Sequence, residues 1–250
     1  MANFAHILQK APFLDLLFPP RCVVCGHYAG FEPFLCRDCF HKLSFFGESP
    51  FSIRDNADWE KIPVSAMLEF NTPLRRLAHS LKYQSMPYVG SFLGRLMGQF
   101  YQGSAFENAQ LIVPVPLHPV KQRDRGYNQA EWLGIGLQQI WQSPLTTRAL
   151  KRIRYTVTQT KLGQDERQKN ISAAFLADEK LVHGKKVLLL DDIFTTGATT
   201  GEAAQTLLKA GASQVMIICA ATPLANRYIR FEDDIDFTEE PKEEIALVYI

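Results

Sequence analysis

Two adjacent carboxylates, Asp191 and Asp192, stand where a short apolar run from Val187 to Leu190 gives out. The run does not alternate with polar residues, which marks a buried parallel strand. Behind the acids come Thr195, Thr196, Gly197, Ala198 and Thr199, hydroxyls grouped around one glycine. A helical pattern follows with Ala203, Ala204, Leu207 and Leu208 on one side. Gly211 is placed to end that helix, and Val215 to Cys219 opens another apolar strand. Free N–H groups at a helix N-terminus, with threonine hydroxyls beside them, suit a phosphomonoester. Gly197 lets the backbone approach it, having no Cβ. Carboxylates next to such a phosphate accept hydrogen bonds from vicinal hydroxyls or reach Mg²⁺ through water. Phosphate, diol and metal together describe a ribose 5-phosphate at the carboxyl end of a βαβ strand. The alternative is a plain strand–turn–helix with solvated acids. Rival phosphate loops, G-x-x-x-x-G-K-S/T and G-x-G-x-x-G, do not occur.

A second constellation lies near the amino end. Cys22-x-x-Cys25 and Cys36-x-x-Cys39 are two knuckles separated by ten residues, a spacing that lets four thiolates close tetrahedrally on one metal. Structural zinc is the first reading, with a redox pair or an iron site as alternatives. A disulfide pair needs an oxidising compartment, for which no secretion signal speaks. His27 and His41 flank the knuckles, but four cysteines leave them no vacancy. Cys219, in an apolar strand, reads as core.

The elements that must position these groups follow in chain order. Residues 1–20 form an amphipathic pattern that packs on the cysteine module or lies on a membrane surface. An aperiodic stretch from Gly47 to Asp58 marks a boundary. Three regions result: an amino-terminal segment with the zinc module (1–55), a main α/β domain (60–225) and an acidic tail (226–250). On this division, loss of a cysteine unfolds only the first module. Val64, Ala66, Leu68 and Phe70 alternate as an amphipathic strand. Thr72-Pro73 reads as a helix N-cap and N1, with Leu74, Leu77, Ala78 and Leu81 inward and Lys82-Tyr83 at its end. A second helix follows through Phe92, Leu93, Leu96, Met97 and Phe100. Leu111 to Val113 is a strand that leads into a cationic loop with Arg123 and Arg125, after which a helix begins near Asn128. Lys151 to Asn170 is basic and poorly periodic: a flap over a polyanion, a plain loop or a β-ribbon.

Net charge is +1 over 250 residues, so no global field argues for nucleic acid or membrane. The distribution says more. Between Lys121 and Asn170 there are ten Lys/Arg against four Asp/Glu, and from Phe231 onward eight Asp/Glu against one Lys. The basic middle can attract the acidic tail or a polyanion. No run approaches the ~20 apolar residues that span a bilayer, and the amino end does not read as a signal peptide. The expected location is cytoplasmic.

The thirteen residues VLLLDDIFTTGAT resemble the phosphoribosyl pyrophosphate (PRPP) motif of the type I phosphoribosyltransferases. That resemblance implies a parallel sheet flanked by helices. It assigns Asp191, Asp192, Thr195, Thr196, Gly197, Ala198 and Thr199 to PRPP with Mg²⁺. It places pyrophosphate over Arg123 and Arg125, which on composition alone would be solvated surface arginines. With the cysteine knuckles ahead, PVPLH and R-x-R-G-Y-N-Q in the middle, and Gln159, Arg167, Asn170 and Ala174-Phe175 before the acidic pair, the chain resembles the ComF/GntX family over about residues 15 to 223. The resemblance implies a role in natural transformation, with competence-machinery partners and single-stranded DNA. Arg152, Arg154, Lys161 and Arg167 are the candidate DNA contacts, with Tyr127 and Tyr155 to stack on bases. Two functions stay open: a phosphoribosyltransferase with an unidentified acceptor, and a binding module that keeps the PRPP pocket.

Overall fold

The computed structural model of the chain describes residues 19–46, 51–52, 62–154, 174–223 and 229–230. Residues 1–18 of the amino-terminal helical pattern, Tyr155, Lys161 and Arg167, and the acidic residues from 231 onward fall outside these. In chain order come α1 (Arg37–Phe40), β1 (Phe51–Ser52), β2 (Val64–Glu69), α2 (Thr72–Tyr83), α3 (Pro87–Phe100), β3 (Leu111–Pro114), α4 (Pro119–Arg125) and α5 (Gln129–Gln138). Then follow β4 (Leu150–Arg152), β5 (Phe175–Ala177), α6 (Glu179–Val182), β6 (Lys186–Ile193), α7 (Ala198–Lys209), β7 (Gln214–Thr222) and β8 (Ile229–Arg230).

One sheet runs in the order β3-β6-β7-β2-β1-β8. β3, β6, β7 and β2 are parallel, and β1 lies antiparallel between β2 and β8. Both faces of the parallel part are covered. Val187 and Leu189 of β6 share a core with Ala203, Ala204 and Leu207 of α7, whereas Leu188 and Leu190 share one with Met97 of α3 and Leu133 and Leu137 of α5. Burial on both sides is why that strand reads as an unbroken apolar run. The same holds for β2, which corrects the amphipathic reading: Ser65 and Met67 are as buried as Val64 and Ala66. Ser65 Oγ accepts the Tyr101 hydroxyl at 2.8 Å, so the one polar group inside is satisfied.

Three local readings shift. The cap of α2 is Asn71, one residue earlier than expected. Its side chain accepts the Leu74 N–H at 3.2 Å and donates to the Lys42 carbonyl and Ser44 Oγ. The cationic loop is a helix, α4, started by Pro119 behind the His118 cap, so Arg123 and Arg125 sit on its last turn. Leu208 stays 38% exposed, outside the core that Ala203, Ala204 and Leu207 enter.

α3 and α5 touch backbone to backbone. A Cβ on Gly94 would lie 2.0 Å from the Leu133 carbonyl oxygen, and one on Gly136 1.9 Å from that of Ser91. This contact sets where α5 begins. The cysteine module belongs to the same body. Phe31, Phe34 and Phe40 ring Phe92 of α3 at centroid distances of 6.4, 5.5 and 6.3 Å. One apolar cluster runs from Cys22 and Leu35 through α2 and α3 to Ile218 of β7. Among the described residues no helix is long and apolar enough to cross a membrane.

Candidate functional site

β6 delivers Asp191 and Asp192 at its carboxyl end. Each carboxylate is oriented by the next amide: Asp191 Oδ1 accepts the Asp192 N–H at 2.8 Å, and Asp192 Oδ1 accepts that of Ile193 at 2.9 Å. Burial, then repulsion by Asp192, pushes Asp191 up to about 7, although Lys82 and Arg152 oppose the shift. Lys82 Nζ stands 2.5 Å from Asp192 Oδ2, held by charge rather than by an aligned hydrogen bond.

Downstream, the chain turns at Gly197, whose φ of +75° is open to glycine and strained for a β-branched residue. Gly197 is the N-cap of α7, so the first N–H groups of that helix face the loop. Thr200, which the sequence pattern did not single out, is buried and donates to the Gly197 carbonyl at 3.1 Å, bracing the turn. Such a helix start is chemically fit for a phosphate.

A cavity of about 200 Å³ opens beside the acids. Asp191, Asp192, Thr199, Lys82, Lys121, Arg125, Asn128, Gln129 and Arg152 line it. Burial, then the charges of Arg152 and Arg125, draws Lys121 below the usual lysine range. Three cations thus share the cavity close enough to repel one another. Asp191 and Glu202 face Arg152, whose guanidinium also lies 5.4 Å from the Phe175 ring centroid. Asn128 caps α5 by accepting the Ala130 N–H at 3.1 Å, and donates to the Val115 carbonyl at 3.0 Å. Gln129 Oε1 accepts from Arg125. Its Nε2, on a side chain only 2% exposed, has no hydrogen-bond partner among the described residues. A buried donor left unmatched is costly, and it lines a cavity whose other groups attract anions.

Of the residues singled out from sequence, Asp191, Asp192, Thr199, Arg125 and Arg152 meet at this cavity. Thr195, Thr196, Gly197 and Ala198 form the adjoining turn without lining it, and Arg123 points away, exposed on α4. Arg152 is half-buried against Asp191, whereas Arg154 is exposed. Lys82, Lys121 and Gln129 were missed. Their signals were present: Lys82 follows the inward Ala78 by four residues, and Lys121 precedes Arg125 by four on one helix face.

The four cysteines converge as their spacing required. Cys22, Cys25, Cys36 and Cys39 place all four sulfurs within 4.8 Å of one another, with Cys25 and Cys36 3.6 Å apart. Tetrahedral zinc with ~2.3 Å bonds needs sulfur separations of about 3.8 Å. Burial opposes ionisation throughout the cluster: it pushes Cys36 and Cys39 up, whereas backbone N–H groups of Cys36, Cys25 and Val24 bring Cys22 down to about 7. Donors that favour a thiolate are what a zinc ribbon supplies. The site fits structural zinc.

Comparison with known proteins agrees with this architecture. Residues 13–51 match a double zinc ribbon domain, and residues 141–246 a phosphoribosyl transferase domain. The fold is that of a type I phosphoribosyltransferase, with a four-cysteine zinc ribbon at the amino end. The chain is 28% identical to competence protein F of Haemophilus influenzae over 189 residues, covering 73% of this chain and 82% of that protein. It is 30% identical to the DNA utilization protein YhgH of Salmonella typhi over 215 residues, covering 81% and 84%. A shorter match, 31% over 103 residues, reaches competence protein ComFC of Bacillus subtilis and covers 40% and 39%.

Proposed function

The chain belongs to the ComF family of competence and DNA utilization proteins, and from that premise we propose that it assists single-stranded DNA uptake in natural transformation, on the cytoplasmic side, through a pocket that binds PRPP with Mg²⁺. The observation that carries the pocket is the meeting, in one cavity, of the Asp191–Asp192 pair and the cations Lys121, Arg125 and Arg152. A ribose with a phosphate at one end and a diphosphate at the other spans these groups. The 5-phosphate takes the amides at the start of α7 and the hydroxyls of Thr195, Thr196 and Thr199. Asp191 and Asp192 accept the ribose hydroxyls, which displaces Lys82. The diphosphate falls to Lys121, Arg125 and Arg152, with the unmatched Gln129 Nε2 as a further donor. Asp191 and Asp192 would help to hold Mg²⁺, which would supply charge neutralisation for the diphosphate.

A second reading, phosphoribosyl transfer, is favoured by the same three cations. When the bond from the ribose anomeric carbon to diphosphate breaks, negative charge grows on the leaving oxygen, and donors already in place there lower the barrier. The acceptor supplies the electron pair for the new bond.

Titration calorimetry decides the pocket. Wild type should bind PRPP with Mg²⁺, and Asp192→Ala should bind it at least roughly tenfold more weakly, since each charge-assisted hydrogen bond removed is worth about 1.5–3 kcal/mol. No heat from wild type at millimolar PRPP would refute the pocket. Turnover with a panel of base and amine acceptors then separates the enzyme from the binding module.

A further inference from the structure

Between Phe70 and Phe106 the chain has no acidic residue and four Lys/Arg. α2 lies within that stretch. Its buried stripe, Leu74, Leu77, Ala78 and Leu81, faces the core. Its outward positions are Arg75, Arg76, His79 and Tyr83, which recur three to four residues apart and so share one face. None of them has a carboxylate partner among the described residues. Tyr83, at 69%, is the most exposed large apolar side chain among the described residues. Its ring sits 5.0 Å from that of His79, and the Arg125 guanidinium lies 5.7 Å from its centroid. Lys82, beside it, lines the cavity. Beyond the helix end Tyr88 is 44% exposed and rests on Phe34 of the zinc ribbon, 5.3 Å between centroids. At the other end of the face, Arg76 donates to the Val24 carbonyl of the ribbon.

We propose that the outward face of α2, with Tyr83, Tyr88 and Arg125, is a track for single-stranded nucleic acid that leads from the cavity to the zinc ribbon. Cations at helical spacing follow a phosphate backbone, and an exposed ring in contact with a guanidinium takes an unstacked base. Charge selects this occupant: the face and the cavity beside it hold more cations than carboxylates, so an apolar protein partner is disfavoured. Openness selects it too. A small base alone is enclosed over most of its surface by its pocket, whereas Tyr83 lies open for a base that continues into a strand. The track rests on the DNA-handling reading but uses residues other than Arg152, Arg154, Lys161 and Arg167.

The test is fluorescence anisotropy with a labelled oligothymidylate of about 12 nucleotides, a length within the range of sites on such stacking surfaces. Tyr83→Ala should weaken binding about tenfold and Tyr83→Trp should restore it, since stacking needs an aromatic face and not a hydroxyl. Arg75→Glu should lower the slope of log affinity against log salt by about 0.7 for each phosphate it no longer neutralises. Duplex of the same length should be insensitive to Tyr83→Ala, because its bases are already stacked. Failure of wild type to bind the oligonucleotide removes the DNA-handling reading and the track with it. Binding by wild type that Tyr83→Ala and Arg75→Glu leave unchanged removes the track alone. An equal weakening for thymidine monophosphate and the oligonucleotide would also overturn the track, by making Tyr83 part of a mononucleotide site.

Discussion

The pairing of Lys82 with Asp192 offsets one of the two adjacent carboxylates before any ligand enters. Without that ammonium, Asp192 would lose its ion pair, and Arg152 would be left to oppose the upward shift of Asp191. Lys82→Met should therefore cost roughly 1–3 kcal/mol at pH 8, a value between those of exposed and buried pairs. The pH dependence has a definite sign. Asp191 is raised from 3.8 to about 7 in the folded protein, so the folded state holds the proton more tightly than the unfolded chain does. Its contribution to stability is complete below about pH 4 and is lost as pH rises through 7. Lys82→Met raises Asp191 further, so the deficit against wild type should be larger at pH 8 than at pH 5.5 in urea denaturation. A gap independent of pH would mean that the ion pair does not hold the acids together.

At the level of elements, the cavity depends on where two helices start. α7 begins at Gly197 because only a glycine takes the left-handed turn there without strain. Gly197→Val should lower stability by about 1–2 kcal/mol and abolish PRPP binding by calorimetry, since the added side chain also blocks the phosphate. α5 begins at Gln129, and its position is set by Gly94 and Gly136. A methyl at Gly136 would meet a backbone oxygen that cannot rotate away, so Gly136→Ala should cost about 3 kcal/mol or more. The melting temperature should fall, and the PRPP affinity of the fraction still folded should fall with it, because Gln129 and Asn128 move with the helix. Unchanged affinity in a destabilised variant would separate the helix contact from the site.

Over the whole molecule, the zinc ribbon is not an appendage. Phe31, Phe34 and Phe40 close around Phe92, the Glu32 carboxylate pairs with Arg95 at 3.1 Å, and Asn71 ties α2 to Lys42 and Ser44. The two shortest strands carry the same message: Phe51–Ser52 and Ile229–Arg230 join the sheet across the divisions drawn at 55 and 225. Separate unfolding of the first fifty residues is therefore not expected. Cys36→Ser, which removes one zinc ligand, should abolish the metal by elemental analysis and lower one shared calorimetric transition. Two transitions, the later unshifted from wild type, would show that the ribbon folds apart from the sheet. Zinc retained at full occupancy would remove the cysteine assignment.

The PRPP-like loop and the cysteine knuckles were legible in the chain because each is local. Strand, acids, hydroxyl turn and helix follow one another within some twenty-five residues, and two C-x-x-C pairs need only one reversal to converge. The apolar run of β6 also announced burial on two faces. What α2 and the ribbon β4 contribute was not legible. Lys82 and Arg152 come from elements far from Asp191 in the chain, so no local pattern ties either of them to the acids. Reading the stretch around Arg125 as a loop hid the helix α4, which sets Lys121 and Arg125 at the cavity and leaves Arg123 exposed. Only packing decided these matters. The parallel crossovers bring the ends of α2, α4 and α5 to the carboxyl edge of the sheet, and the backbone contact at Gly94 and Gly136 fixes how far α5 reaches.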